Sequence, residues 1–145
     1  MSELHVVFKV ADNEFMMPAS EVVQMESFSG ATHVPGTPAY VAGIVQVRGK
    51  VVPVVDLRSR FGHPAQALTL DSRIVVGHDG VRPVALLVDS AREVVRLSQE
   101  QLEVPPKLVT EETRGFVRAV ARLGARLLML IDFKKVIGEE ILDGS

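Results

Sequence analysis

Short apolar runs rich in valine and isoleucine recur along the chain, separated by turn-forming residues. Such runs are typical of β-strands, whereas the 3.6-residue period of an amphipathic helix is hard to find for more than about two turns. The predicted strands are Val6–Val10, Ile44–Val47, Val51–Leu57, Ile74–Val76, Val84–Val88, Val94–Leu97 and Leu127–Ile131. This many short strands predict an all-β barrel or sandwich.

Glycine, asparagine or aspartate stands in the gaps between these runs, where a tight turn needs a positive φ. Turns are predicted at Asp12-Asn13, Arg48-Gly49-Lys50, His78-Asp79-Gly80 and Leu123-Gly124-Ala125. Neighbouring strands should therefore pair mostly antiparallel. Pro53 and Pro83 lie within apolar runs and cannot donate to a ladder, which predicts a strand start, an edge or a bulge at each.

Helices are predicted to be few and short. Ser98 stands three residues before Gln101, which is the spacing of a capping box. Asp132 can cap a last helix through Lys135, and Gly138 can end it.

Composition narrows the class of protein. The 145 residues are 47% apolar and 23% charged, which predicts one globular domain. There is no cysteine, so disulfides and thiolate metal sites are excluded. The net charge is −2 with both signs interleaved, which argues against nucleic acid as a partner. No apolar run approaches the ~20 residues of a membrane span, and the N-terminus lacks a signal pattern, so we expect a cytoplasmic protein without membrane insertion.

Three apolar runs end in an acid, at Asp56, Asp89 and Asp132. If these carboxylates converged, they could bind a metal or share a proton, and the chain would be an enzyme with metal-dependent or pH-dependent activity. The alternative is that each aspartate caps the turn or helix that follows its strand, which we favour. The histidines are isolated from one another, and phosphate-binding and nucleophile motifs are absent, so we predict no metal site and no cofactor.

The run Val51–Leu57 is apolar on both strand faces. After one face enters a core, the other must be covered either by a second lobe of the chain or by a partner. Met25 is a further candidate for a partner-binding surface, although methionines more often fill gaps in a core. A chain rich in such strands and poor in catalytic groups is typical of a binding module.

The longest recognisable motif spans residues 34–62. It has two prolines bracketing a short segment, a glycine at Gly43, an apolar strand ending in Arg48-Gly49, and then Val51-Val52-Pro53-Val54-Val55-Asp56-Leu57-Arg58. This motif closely resembles CheW-like domains, and the resemblance extends over roughly residues 4–138, which leaves 139–145 as a tail. It implies two five-stranded SH3-like barrels packed in tandem, with short helices including one at the C-terminus. The boundary between the barrels is expected near residues 70–85, with strand exchange between them allowed.

The resemblance also implies a function. CheW-like proteins are non-catalytic adaptors that couple bacterial chemoreceptors to the histidine kinase CheA in membrane-associated arrays. The implied partners are the cytoplasmic tip of a chemoreceptor, the regulatory domain of CheA and other CheW-like proteins. By motif position, Arg48, Gly49 and Val94 are receptor-side residues, and Val22 and Gly43 are kinase-side residues. Core packing for Val22 and a strand-entry turn for Gly43 are equally good interpretations.

Two positions depart from the family pattern. Where the family commonly has an acid that partners the arginine of Arg-Gly, this chain has Gln24, so a neutral amide is expected to face Arg48. Arg118-Ala119 stands where a glycine is usual. An alternative function is therefore a divergent CheW paralogue that binds receptors or other CheW-like proteins without activating the kinase.

Overall fold

The computed structural model of the protein describes residues 2–138, so the expected tail at 139–145 lies outside the described residues. These residues form two β-sheets. Sheet A contains β1 (Ser2–Val10), β2 (Asn13–Pro18), β8 (Ser90–Ser98), β9 (Leu102–Glu103), β10 (Val117–Leu123) and β11 (Arg126–Ile131). Sheet B contains β3 (Val22–Ser27), β4 (Val41–Val47), β5 (Lys50–Asp56), β6 (Arg73–His78) and β7 (Pro83–Val88). The helices are α1 (Leu57–Arg60), α2 (Lys107–Glu112) and α3 (Phe133–Ile137), with single 3-10 turns at Ala19–Glu21 and Gln99–Gln101.

The all-β prediction is confirmed, and each of the seven predicted strands lies within a strand of the structure or overlaps one. The order is β8-β1-β2-β11-β10-β9 in sheet A and β3-β6-β7-β5-β4 in sheet B. Most neighbours pair antiparallel, as predicted, while β2 with β11 and β5 with β7 are parallel. Sheet A has six strands rather than five, because the two-residue β9 extends its edge.

The boundary expected near residues 70–85 is not where the chain changes sheets. Both strands that flank that region, β6 and β7, belong to sheet B. The chain instead leaves sheet A after Pro18 and returns to it at Ser90. The N-terminal hairpin β1–β2 therefore completes a sheet whose other strands come from the C-terminal half, which is an exchange of strands between the two lobes.

The two sheets repeat one local plan. In each, an antiparallel hairpin with a register shift near its start, β4–β5 or β10–β11, leads into an aspartate and then a short helix. The backbone N–H of Asp56 donates to Tyr40 O at 2.8 Å, and that of Asp132 donates to Phe116 O at 2.8 Å. Both aspartates cap their helix, as predicted, but Leu57 begins α1 and does not end the strand as expected.

Buried side chains form three layers. The middle layer, which we call the seam, contains residues of both sheets, while the outer layers line the interior of sheet B or of sheet A alone. Along β5, Val52 and Val54 face the interior of sheet B, and Val55 faces the seam, where Leu57 of α1 also packs. The second apolar face of this run is therefore covered by the other lobe of the same chain at Val55, whereas Val51 on that face is 60% exposed.

Turn and cap predictions are mostly confirmed. The backbone N–H of Ser98 donates to Gln101 Oε1 at 2.8 Å, as a capping box requires. Pro83 is the first residue of β7, and Pro53 precedes the part of β5 that pairs with β7. The prediction for the first turn is one residue off, because the positive φ of 55° falls on Ala11 and β2 already begins at Asn13.

Candidate functional site

The Arg48-Gly49 turn joins β4 to β5 and projects into solvent. Both residues have positive φ, 50° and 80°, which is the geometry of a two-residue type I′ hairpin turn. Glycine adopts it freely, whereas arginine in this region is strained. Within residues 2–138, the Arg48 side chain makes no hydrogen bond or ion pair. Its guanidinium group is therefore free to bind an acceptor on another molecule.

Gly43 has a structural reason to be glycine. Its φ is 145°, and an added Cβ atom would lie 2.3 Å from the backbone oxygen of Thr32. The chain at Thr32 pairs with Ile44 through two backbone hydrogen bonds of 2.9 Å each. This close approach of two backbones supports the structural interpretation of Gly43, and a substitution there will disturb β4 before it tests any interface.

Val22 likewise has a place in the protein's own core. It begins β3 at the edge of sheet B, is half-buried, and packs against the seam. Val22 and Gly43 lie on the two outer strands of the same sheet. The two predicted kinase-side residues thus lie in the same sheet, but their strands, β3 and β4, are not hydrogen-bonded to each other.

Gln24 occupies an unusual environment. It pairs with Val76, which pairs with Ala85, and both of these neighbours are buried in the interior of sheet B. Paired residues share a sheet face. The Oε1 atom of Gln24 is buried and has no hydrogen-bond partner in the described part of the chain. The structure therefore records no hydrogen bond between Gln24 and Arg48, and their coupling stays a prediction.

Val94 lies on β8, the edge strand of sheet A, and is 53% exposed. It pairs with Val6, which in turn pairs with the seam residue Met17, so Val94 stands on the face of sheet A that meets sheet B. Met25 is 43% exposed on β3, and it pairs with the seam residue Val75. Both side chains thus lie on edge strands, on the sheet face that forms the seam, at positions where the seam becomes exposed to solvent.

Leu4 has the same character, although no sequence pattern marks it, because it stands just before a predicted strand. It lies on β1, two residues from Val6 and on the same face, and is 40% exposed. We call Leu4, Met25 and Val94 the seam strip. β8, which carries Val94, contacts β6, and β6 is the hydrogen-bonded neighbour of the strand that carries Met25. Exposed apolar side chains in such a strip are typical of protein-binding surfaces.

The aspartates that suggested catalysis have structural partners. Asp56 Oδ1 accepts from the N–H of Arg58 at 3.0 Å, Asp89 Oδ2 accepts from the N–H of Ala11 at 2.7 Å, and Asp132 Oδ1 accepts from the N–H of Lys135 at 3.3 Å. Burial raises the pKa of the Asp56 carboxyl, although its backbone hydrogen bonds oppose the change. The capping interpretation is confirmed for Asp56 and Asp132, whereas Asp89 binds the β1–β2 turn and not the turn after its own strand. Among residues 2–138, no group of three or more acidic or histidine side chains is placed to hold a metal ion.

A charged network closes one end of the interior of sheet A. Arg126 on β11 donates to Glu14 on β2 at 2.7 Å and reaches Glu93 on β8 at 2.5 Å. The hydrogen bond from Arg126 lowers the pKa of Glu93, because it favours the charged carboxylate. The network ties β8, the strand that carries Val94, to the centre of its sheet.

An all-β chain with an exposed apolar strip and a free arginine at a turn belongs to the class of protein-binding modules. The model of the CheW-like domain family matches residues 4–140, and the chain belongs to this family of chemotaxis adaptor proteins. It is 31% identical over 135 residues to the chemotaxis protein CheW of Rhizobium meliloti, covering 93% of this chain and 87% of that protein. It is 30% identical over 138 residues to CheW of Bacillus subtilis, covering 95% and 88%.

The fold agrees with a solved structure. The crystal structure of the scaffolding protein TtCheW from Thermoanaerobacter tengcongensis superposes with a TM-score of 0.86 at 29% identity, covering 94% of this chain and 92% of that one. Among residues 2–138, no helix is both long and apolar enough to cross a membrane.

Proposed function

We propose that the protein is a non-catalytic scaffold that couples the cytoplasmic tip of a chemoreceptor to the regulatory domain of the histidine kinase CheA within signalling arrays. The observation that carries the proposal is the seam strip, an exposed apolar surface that continues the seam in a chain matched to the CheW-like family from residue 4 to residue 140. The tip of a helical hairpin needs apolar contact at its centre, which Val94 and Met25 offer.

Arg48 contributes the polar part of the proposed receptor site. Its guanidinium is exposed, has no partner within residues 2–138, and can donate to carbonyl or carboxylate oxygens of a helical partner. Gly49 completes the turn that presents it. The kinase-side surface is proposed on sheet B near Val22 and Gly43. Because both residues are packed within the protein itself, we propose that they shape this surface and that the direct contacts to the kinase are made by their neighbours.

The binding test uses a purified receptor-tip fragment and the CheA regulatory domain, each titrated against the full chain by calorimetry. Arg48→Asn is the sharpest variant, since Asn-Gly is a preferred type I′ pair and should hold the turn at least as well. We expect Arg48→Asn to weaken receptor binding with unchanged or higher thermal stability. Loss of binding together with loss of stability would mean that the turn, and not the guanidinium, matters.

The apolar strip is tested separately. Val94→Asp should weaken receptor binding, because it places a charge where apolar contact is needed. Val104→Asp is the matched control, since Val104 is 89% exposed and follows β9, which lies at the opposite edge of sheet A from β8. Equal effects of the two changes, or no binding of the unmodified chain to either partner, would reject the proposal.

A second function is favoured by one observation. Within residues 2–138, neither the side-chain carbonyl of Gln24 nor Arg48 has a partner, and Gln24 stands where the family usually has an acid. This supports a divergent paralogue that binds receptors or other CheW-like proteins and modulates array assembly without activating the kinase. Receptor binding with no stimulation of CheA in a reconstituted array would identify this function, and stimulation would exclude it.

A further inference from the structure

Helix α1 is a single turn, yet together with its capping residue Phe61 it reaches β2, the junction between β7 and β8, and the end of α3. It follows β5 directly and so belongs to sheet B by chain connection. Leu57 is fully buried in the seam. Phe61, which ends the helix, stacks on Phe15 of β2 with ring centroids 4.8 Å apart. The hydrophobic part of this segment is thus inserted against the opposite sheet.

The first charged contact is made by Arg58. Its Nε and Nη2 atoms donate to the two oxygens of Asp89 at 2.9 and 2.8 Å, which is a bidentate, charge-assisted pair. Asp89 lies where the chain passes from β7 to β8, and it also binds sheet A: its N–H donates to Lys9 O at 2.9 Å, and its Oδ2 accepts from the N–H of Ala11. Arg58 is therefore tied to the β1–β2 turn through Asp89. The hydrogen bond with Asp89 raises the pKa of the Arg58 guanidinium.

The second charged contact is made by Arg60. Its Nε atom donates to Val136 O at 2.7 Å and its Nη2 atom to Lys135 O at 3.2 Å, at the end of α3. Its guanidinium carbon also lies 4.0 Å from the ring centre of Tyr40 and 4.6 Å from that of Phe116. These two rings occupy equivalent positions before β4 and β10, so Arg60 bridges the two halves of the repeated plan.

The two arginines act in different directions. Residues two apart in a helix point to nearly opposite sides, so Arg58 and Arg60 cannot share a partner. Leu57 is buried on the side of the helix that lies between the two arginines. A tilt of one sheet against the other therefore stretches either the contact of Arg58 with Asp89 or the contact of Arg60 with α3. The Arg58–Asp89 pair is also largely shielded, with side-chain exposures of 19% and 32%, so it is held more firmly than a surface pair.

We infer that α1 is a bracket that fixes the orientation of sheet B relative to sheet A through Arg58 and Arg60. Leu4 and Val94 lie on sheet A and Met25 on sheet B, so the bracket also sets the spacing of the seam strip. That last consequence rests on the proposed function, whereas the bracket itself does not.

The test measures the distance between the sheets. The chain has no cysteine, so cysteines introduced at the exposed positions Lys50 of sheet B and Glu100, beside sheet A, take nitroxide labels selectively. Pulsed electron resonance then gives the distribution of distances between the labels. We expect a narrow distribution in the parent and a broader one when Arg58→Lys and Arg60→Met are combined, with each single change broadening it less.

Arg126→Met is the matched control, because Arg126, like Arg58, pairs with carboxylates, but its partners Glu14 and Glu93 both lie within sheet A. It should leave the distribution unchanged. A second measurement follows amide exchange at Ala11, whose N–H is held by Asp89, and we expect it to rise about ten-fold in Arg58→Lys alone. A distribution unchanged in the folded single and double variants, or broadened equally by Arg126→Met, would overturn the inference. If the double variant does not fold, the two single variants decide it. Because no partner is present, failure here leaves the proposed function standing.

Discussion

Replacing Gln24 by methionine should stabilise the protein. The Oε1 atom of Gln24 is buried beside Val76 and Ala85 in the interior of sheet B, and it has no hydrogen-bond partner among the residues that the structure describes. Leaving a buried acceptor unpaired costs about 1–3 kcal/mol. Methionine has a similar length and a flexible, apolar end that fits irregular gaps. Since Gln24 is only half-buried as a residue, the lower part of that range applies, and we expect a gain of about 1 kcal/mol.

The assay is urea denaturation followed by circular dichroism, with a thermal scan as a second measurement. For a domain of this size, about 1 kcal/mol corresponds to a rise in Tm of about 3 °C. Gln24→Glu is the second variant to compare with the parent, because it places a negative charge where the amide now lies. If Arg48 is out of reach, we expect a loss of about 2 kcal/mol or more from the unpaired carboxylate.

The opposite pattern would refute this reasoning. If Gln24→Met destabilises the protein while Gln24→Glu is neutral or stabilising, the side chain has a polar partner in solution. Adding Arg48→Asn to Gln24→Glu would then identify that partner, because the benefit of the acid should disappear with the guanidinium.

Three other changes have defined outcomes. The pKa of Glu93 lies below its ordinary value near 4.5, so its pairing with Arg126 stabilises the fold above that pH. This contribution is lost as the pH falls through the lowered pKa, so the Tm difference between the parent and Glu93→Gln should shrink on acidification. A Tm difference that stays constant with pH would contradict this. Gly43→Ala should cost about 3 kcal/mol or more from its clash with Thr32, read from urea midpoints, and a near-neutral result would mean that the two backbones separate easily. Phe61→Ala should cost about 3–5 kcal/mol through the cavity it leaves in the seam, also read from urea midpoints, whereas a loss below about 1 kcal/mol would show that the site collapses.

Strands rich in β-branched residues were predictable from the sequence. Strands of weak propensity, which are held by hydrogen bonding to neighbouring strands, were not. Asn13–Pro18 has only Phe15 and two methionines as apolar residues and no β-branched one, yet it lies between β1 and β11 at the centre of sheet A. Val117–Leu123 carries two arginines and two alanines and is held by its hairpin with β11. Pairing with neighbours outweighs weak strand propensity in both segments.

The candidate site was predictable in part. The Arg48-Gly49 turn follows from residues adjacent in the chain, although the positive φ of Arg48 itself does not, because arginine avoids it elsewhere. The outward orientation of Val94 and Met25 depends on which face of each sheet meets the other. Leu4 carried no signal, since an exposed leucine near a terminus is ordinary.

The sequence by itself determined the all-β class, the capped turns and helices, and the family, because these depend on spacings of a few residues. Only the tertiary structure decided that β1 and β2 join the C-terminal strands, that Val55 packs in a seam within the chain, and that Arg58 binds Asp89, 31 positions away. Gln24 belongs to the same group, since its burial follows from the packing of β6 and β7 beside it. Contacts between residues far apart in sequence arise from the closing of both sheets, and no local pattern contains that information.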